Sequence, residues 1–159
     1  MSAYIGRGIV SLDSSDLGLV PDLSLSIATV QHVRHSASAA VPVPLITHAA
    51  VMPTRVSVSM TMSDYTAENL RHLTGGGGAG GVVELLELLD GEYELGFVGE
   101  NCETGEAMAF TAYRFMPLPS SDLGMVGLGY HSAQLSGLLL PDLAITTPGL
   151  SQYGKFQVG

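Results

Sequence analysis

Residues 55–63 read RVSVSMTMS, in which Val56, Val58, Met60 and Met62 alternate with Ser57, Ser59 and Thr61. A period of two over this length predicts a strand with one buried face. DLSLSIAT at 22–29 repeats the alternation, with Leu23, Leu25 and Ile27 expected inward. GRGIVSLD at 6–13 is shorter and predicts a first strand. The stretch between the second and third strands, HSASAAVPVPLITHAAVMP (35–53), breaks the pattern. Its three prolines and its small-residue run predict an irregular arm rather than a ladder. The arm is nearly uncharged, although connecting segments normally face water. Val41, Val43, Leu45, Ile46, Val51 and Met52 therefore need cover. A neighbouring subunit is the expected cover, and packing on the same domain is the alternative.

Further along, Thr66 to Leu73 has helical composition, with Leu70 and Leu73 on one side. Ser63 or Asp64 is placed to cap its start, and Gly75 sits where a left-handed C-terminal residue is wanted. The tract GGGGAGG (75–81) follows, and Gly76-x-Gly78-x-x-Gly81 matches the dinucleotide fingerprint in spacing. That fingerprint works when a strand feeds the glycines and a helix starts from them. Here the glycines end a helix, and no Gly-Lys-Ser/Thr follows, so a flexible loop is expected. In VVELLELLDGEYELGFVGEN, Asp90-Gly91 signals a hairpin between strands of about 82–89 and 92–99. EAMAFTAYRFMPL (106–118) reads as a strand ended by Pro117 and Pro119. Residues 123–144 supply one or two more strands, with Gly127 and Gly129 allowing a bend. The tail from Thr146 to Gly159 has weak pattern and is expected to fray. The sum is a mainly β chain of about seven to eight strands with one short flanking α-helix, a β-sandwich or barrel. A single domain over 1–145 carries the arm at about 34–53, followed by the tail 146–159.

Charge changes the picture. Six Lys and Arg against 15 Asp and Glu give a formal net charge of −9. A protein that grips nucleic acid needs cations to neutralise phosphates, and this one would repel it over most of its surface. Glu84, Glu87, Asp90, Glu92, Glu94, Glu100, Glu103 and Glu106 follow one another with no Lys or Arg among them. Such a run forms a solvated face or a surface that keeps another polyanion away. Arg34, Arg55, Arg71 and Arg114 either bridge to acids on neighbouring copies or are ordinary surface groups. The lone Cys102 cannot form an intrachain disulfide. No apolar run is long enough for a membrane span and no signal peptide is visible, so a soluble chain made in the cytoplasm is expected.

Candidate chemistry is sparse. His32, His35, His48, His72 and His131 are scattered, with no His-Glu-x-x-His motif, and there is neither a calcium loop nor a Gly-x-Ser-x-Gly elbow. Glu92 and Glu94 are expected on one strand face, where an acid/base pair is conceivable in principle, but nothing nearby completes a pocket and solvated residues are the expected reading. No catalytic residue, cofactor or metal is expected, and the chain is not expected to be an enzyme.

The order of features resembles the major tail tube protein of long-tailed (siphovirus-type) bacteriophages. A short strand, an alternating strand, a long arm and an alternating strand lead to a helix entered by Thr66-Ala67-Glu68-Asn69-Leu70 and closed at Gly75. Gly99-Glu100-Asn101, Tyr113-Arg114-Phe115-Met116-Pro117 and Leu135-Ser136-Gly137-Leu138-Leu139-Leu140-Pro141-Asp142 agree with its later strand ends. The match covers roughly residues 4–145. It implies a structural virion protein whose copies form stacked hexameric rings, a tail tube that conducts the genome into the host. Its partners would be itself, a tape measure protein and tail terminator and tip proteins, with DNA passing through unbound. Arg34 and the apolar residues of the arm, Val41, Val43, Leu45, Ile46, Val51 and Met52, would make contact between rings. Glu84, Glu87, Glu92, Glu94, Glu100, Glu103 and Glu106 are candidates to face the lumen. The arm is smaller and more apolar, and the glycine tract longer, than that pattern leads one to expect. The alternative is a non-enzymatic β-sandwich binding module, such as a virion decoration or carbohydrate-binding domain. Such a module needs aromatic platforms, and the chain is 6% aromatic with no tryptophan.

Overall fold

Period-two patterning is realised where it is cleanest. The computed structural model describes residues 6–38, 41–129 and 131–159, and their side chains except at 6–7, 36–38 and 41–48. In chain order the elements are β1 (Gly6–Leu12), β2 (Ser15–Asp16), β3 (Asp22–Ser38), β4 (Val41–Met62), α1 (Ala67–Thr74), β5 (Tyr93–Asn101), β6 (Ala107–Leu118), β7 (Ala133–Leu139) and β8 (Gly154–Val158). The fold is mainly β with one short helix. Val56, Val58, Met60 and Met62 of β4 are buried, and the serines and threonine between them are half-buried. Leu23 and Leu25 of β3 turn toward the same core, whereas Ile27 is 60% exposed, lining an open cleft with Val56 and Phe110.

The strands form one antiparallel sheet in the order β2-β1-β5-β6-β7-β4-β3, with β8 also paired to β6. β6 is the strand on which the sheet turns. Tyr93 pairs with Phe115 and Leu95 with Ala112, so Tyr113 and Arg114 form a bulge opposite Glu94. A bulge bends its strand and shifts the inward phase by one residue. Phe110 and Ala112 are buried before it, Phe115 and Pro117 after it. At the same point β6 changes partner from β8 to β7 on one of its edges. The sheet curls until β1 and β3 line one apolar cleft of about 270 Å³ with Phe97 and Phe110. Among the described residues no ladder joins β1 to β3, so the barrel stays open there. Met60, Met62, Leu95, Phe115 and Leu135 fill its interior with no exposed surface. Phe115 fits because Gly137, diagonal to it across the β6–β7 ladder, has no side chain; a Cβ there would run into the ring.

Four expectations are corrected. The arm is not irregular: β3 and β4 pair along nearly their whole length. The register shifts at Ala28/Thr29, Arg34/His35 and Ser36/Ser38 show how the prolines are accommodated. Pro42 and Pro44 fall in the last shift and Pro53 beside the first, and bulges are where a ladder tolerates a missing N–H. The strand expected over 82–89 is a loop. The last carbonyls of a helix lack partners within it, and here Thr74 and Gly75 accept from the Leu86 and Leu88 amides. Leu86 is held left-handed at φ 57°. The tail does not simply fray, since β8 pairs with β6 and Phe156 stacks on Phe110. The cap of α1 is neither Ser63 nor Asp64. Thr66 Oγ1 accepts from the Asn69 amide at 3.1 Å, while the Asp64 carboxylate accepts from the Leu19 amide. Gly75 closes the helix at φ 58°, as its position suggested.

Candidate assembly surfaces

The β3–β4 hairpin outgrows the sheet. β4 pairs with β7 only over residues 57–62, so toward its tip β3 and β4 have only each other. Residues 41–56 extend about 50 Å at about 3.3 Å per residue. Both faces of this ribbon are open: Gln31, His32, Arg34 and His35 are exposed on β3, as are Val51 (64%) and Met52 (54%) on β4. A two-stranded ribbon is marginal alone in water, and this one carries apolar side chains into solvent. The expected contact residues Arg34, Val51 and Met52 all lie on it. Val41, Val43, Leu45 and Ile46 belong to the β4 ladder, with side chains outside the described residues. Among the described residues the outer edge of β3 has no ladder partner, and neither does the edge of β1 away from β5 over Gly6 to Val10. Unpaired edges like these are templates for another copy.

The acidic run separates into two groups at opposite ends of β5, about 30 Å apart by strand rise. Glu84, Glu87, Glu92 and Glu94 lie at its start, and Glu100, Glu103 and Glu106 around the turn into β6. All are exposed except half-buried Glu100. Glu92 is not a free charge. It accepts two hydrogen bonds from Arg114, both 2.8 Å, and Arg114 also donates to the Pro141 carbonyl. The bonds from Arg114 hold the Glu92 carboxyl below its ordinary value. Arg114 is therefore spent within its own chain. Arg71 is too, because it donates to the carbonyls of Gly80 and Val82.

Those bonds pin the glycine tract, which is not slack. Gly75, Gly76 and Gly77 are buried. The Gly76 amide donates to Arg71 and Gly77 exchanges two bonds with Glu84. Amides already used in this way cannot cradle a phosphate, and a loop rather than a helix follows. One surface went unseen in the sequence. Read as a strand, 82–89 would bury alternate apolar residues, but the loop leaves Leu85, Leu86, Leu88 and Leu89 exposed. The adjacent Leu pairs, out of phase with period two, were the available signal.

Of the histidines, His72 stands apart. It is buried against the edge of Tyr93, with ring centroids 4.5 Å apart, and neither nitrogen has a protein partner. Burial lowers its pKa below the ordinary 6.5, against the pull of Glu68 and Asp13. Among the described residues no three His, Cys, Asp or Glu converge as a metal ion would require, and no helix is long and apolar enough to cross a membrane.

A family model described as "Protein of unknown function UCP028589" matches residues 77–157, just over half of the chain. The chain belongs to this family. The match runs from the glycine tract to the last strand, so it takes in the 82–90 loop, β5 to β8 and both acidic groups. The ribbon and α1 precede the region by which this family is matched. No curated protein sequence matches the chain. Among solved structures, it is similar to a chain from the cryo-EM structure of an extracellular contractile injection system, the PVC sheath-tube complex in its extended state. The TM-score is 0.52 at 10% identity, over 96% of this chain and 89% of that one. At such identity the likeness establishes a shared fold.

Proposed function

We propose that the chain is the structural subunit of a phage-tail-like tube. Copies add sheet edge to sheet edge around a hole, and the resulting rings stack through the β3–β4 ribbon. The observation that carries this reading is the curled sheet left open at β1 and β3, with an apolar ribbon standing off it. Neither feature makes sense for a chain that stays alone: edge strands without protection aggregate, and exposed apolar ribbon surface seeks cover. The solved neighbour shares the fold over nearly its full length, and that neighbour works in a sheath-tube complex. Its system is contractile, while the sequence resemblance is to the long-tailed, siphovirus type; a tube subunit serves either.

The proposed mechanism is passive, with no bond made or broken. Hexameric rings stack into a conduit in the virion tail, and DNA passes through it into the host. Acids on the wall keep phosphates from adhering, whereas cations would bind and stall them. A tape measure protein inside the tube and terminator and tip proteins at its ends are the further partners. Negative-stain electron microscopy of the purified chain tests the reading. Rings or tubes with a central hole are expected, and a particle that stays a monomer at every concentration contradicts it.

A further inference from the structure

The charges of the chain are sorted by position. All 15 acids lie outside residues 23–63, and within that stretch the charged or titratable side chains are Arg34, Arg55 and three histidines. Alternation along β3 puts Ala28, Val30, His32 and Arg34 on one face of the ribbon. Arg55 is paired with Ala28 and Met52 with Val30, so both share that face. The face is thus basic and apolar together. The opposite face presents Gln31, Val33, His35 and Val51, with no Arg, Lys, Asp or Glu.

The 82–90 loop has the complementary make-up. Glu84, Glu87 and Asp90 are exposed among the exposed leucines of the same loop. Topology sets the two surfaces at opposite ends of the molecule. β4 runs from the ribbon tip through the core to Met62, and α1 begins five residues later. The loop is fastened to the C-terminal end of α1 by the Leu86 and Leu88 amides. Complementary surfaces at opposite ends suit a heterologous, head-to-tail contact that repeats along an axis.

We propose that the basic face of the ribbon of one copy seats on the 82–90 loop of a copy in the next ring, Arg55 against the acids and Met52 among the leucines. This rests on the tube reading and names the surface that receives the ribbon. Apolar area supplies the attraction, and the charges set partner and register.

A charge-swap cycle tests the seat. Arg55→Glu is one arm, the triple change Glu84→Lys, Glu87→Lys and Asp90→Lys is the other, and the third protein combines them. Circular dichroism verifies each fold, and sedimentation with electron microscopy gives the protein concentration at which rings stack. Each arm alone is expected to raise that concentration about tenfold or more, as like charges meet, leaving single rings intact. The combined protein is expected to return to within about threefold of wild type. Stacking unchanged in either arm, or no recovery in the combined protein, overturns the seat while the tube reading stands. Wild type that forms no rings at all removes the tube reading itself.

Discussion

At the residue scale the sharpest consequence concerns His72. Its folded pKa lies below 6.5 because burial disfavours the charged ring. As pH falls, the unfolded chain takes up that proton before the folded one does. The stabilisation is complete above pH 6.5 and is lost as pH drops from 6.5 to the folded value, below which this group adds no further slope. Denaturant midpoints measured between pH 7.5 and 5 are expected to fall, and His72→Phe is expected to remove the part of the slope between 6.5 and 5. The larger ring sets a constant offset of about 1–3 kcal/mol if the site is overpacked. A slope unchanged in the variant assigns the acid sensitivity to other groups. His72 itself could be read only as one scattered histidine, since its burial comes from Tyr93, a residue distant in the chain. Gly75 was legible because a left-handed helix end is a local demand. The Glu92–Arg114 pair was not, because the bulge that aims Arg114 arises from the registry of two strands.

At the element scale, period two located β1, the base of β3, the base of β4 and β6, each of which has a buried face written into alternate residues. It failed where structure is decided elsewhere. Helix carbonyls claim the backbone of 82–90, and β8 is held by β6 rather than by any pattern of its own. Prolines in an arm predict a broken ladder, yet here each lies in or beside a register shift that absorbs it. Among the described side chains, none of the ribbon beyond Val30 and Met52 belongs to the core. Replacing residues 31–51 by Asn-Gly, a tight turn suited to two paired strands, is expected to leave the fold within about 1 kcal/mol of wild type, as for surface changes away from the core. The thermal midpoint checks that part. Electron microscopy of the same protein is expected to show separate rings in place of tubes. Normal tubes from the shortened chain would remove the ribbon from the stacking contact.

At the scale of the whole molecule, the features form one design: an open curled sheet, a basic ribbon at one end, an acid-and-leucine loop at the other, and a net charge of −9. The overall class was legible because composition and alternation are global properties. Which acids face a bore was not, since that depends on how copies meet. The measurement that bears most directly on the account is a cryo-EM reconstruction of the assembled wild-type protein at a resolution that traces strands. It is expected to show a closed ring in which the β3 edge of one subunit lies against the β1 edge of the next, around a hole lined by carboxylates. A bore lined by arginine and lysine, or rings held together by other surfaces with both edges left bare, would contradict it.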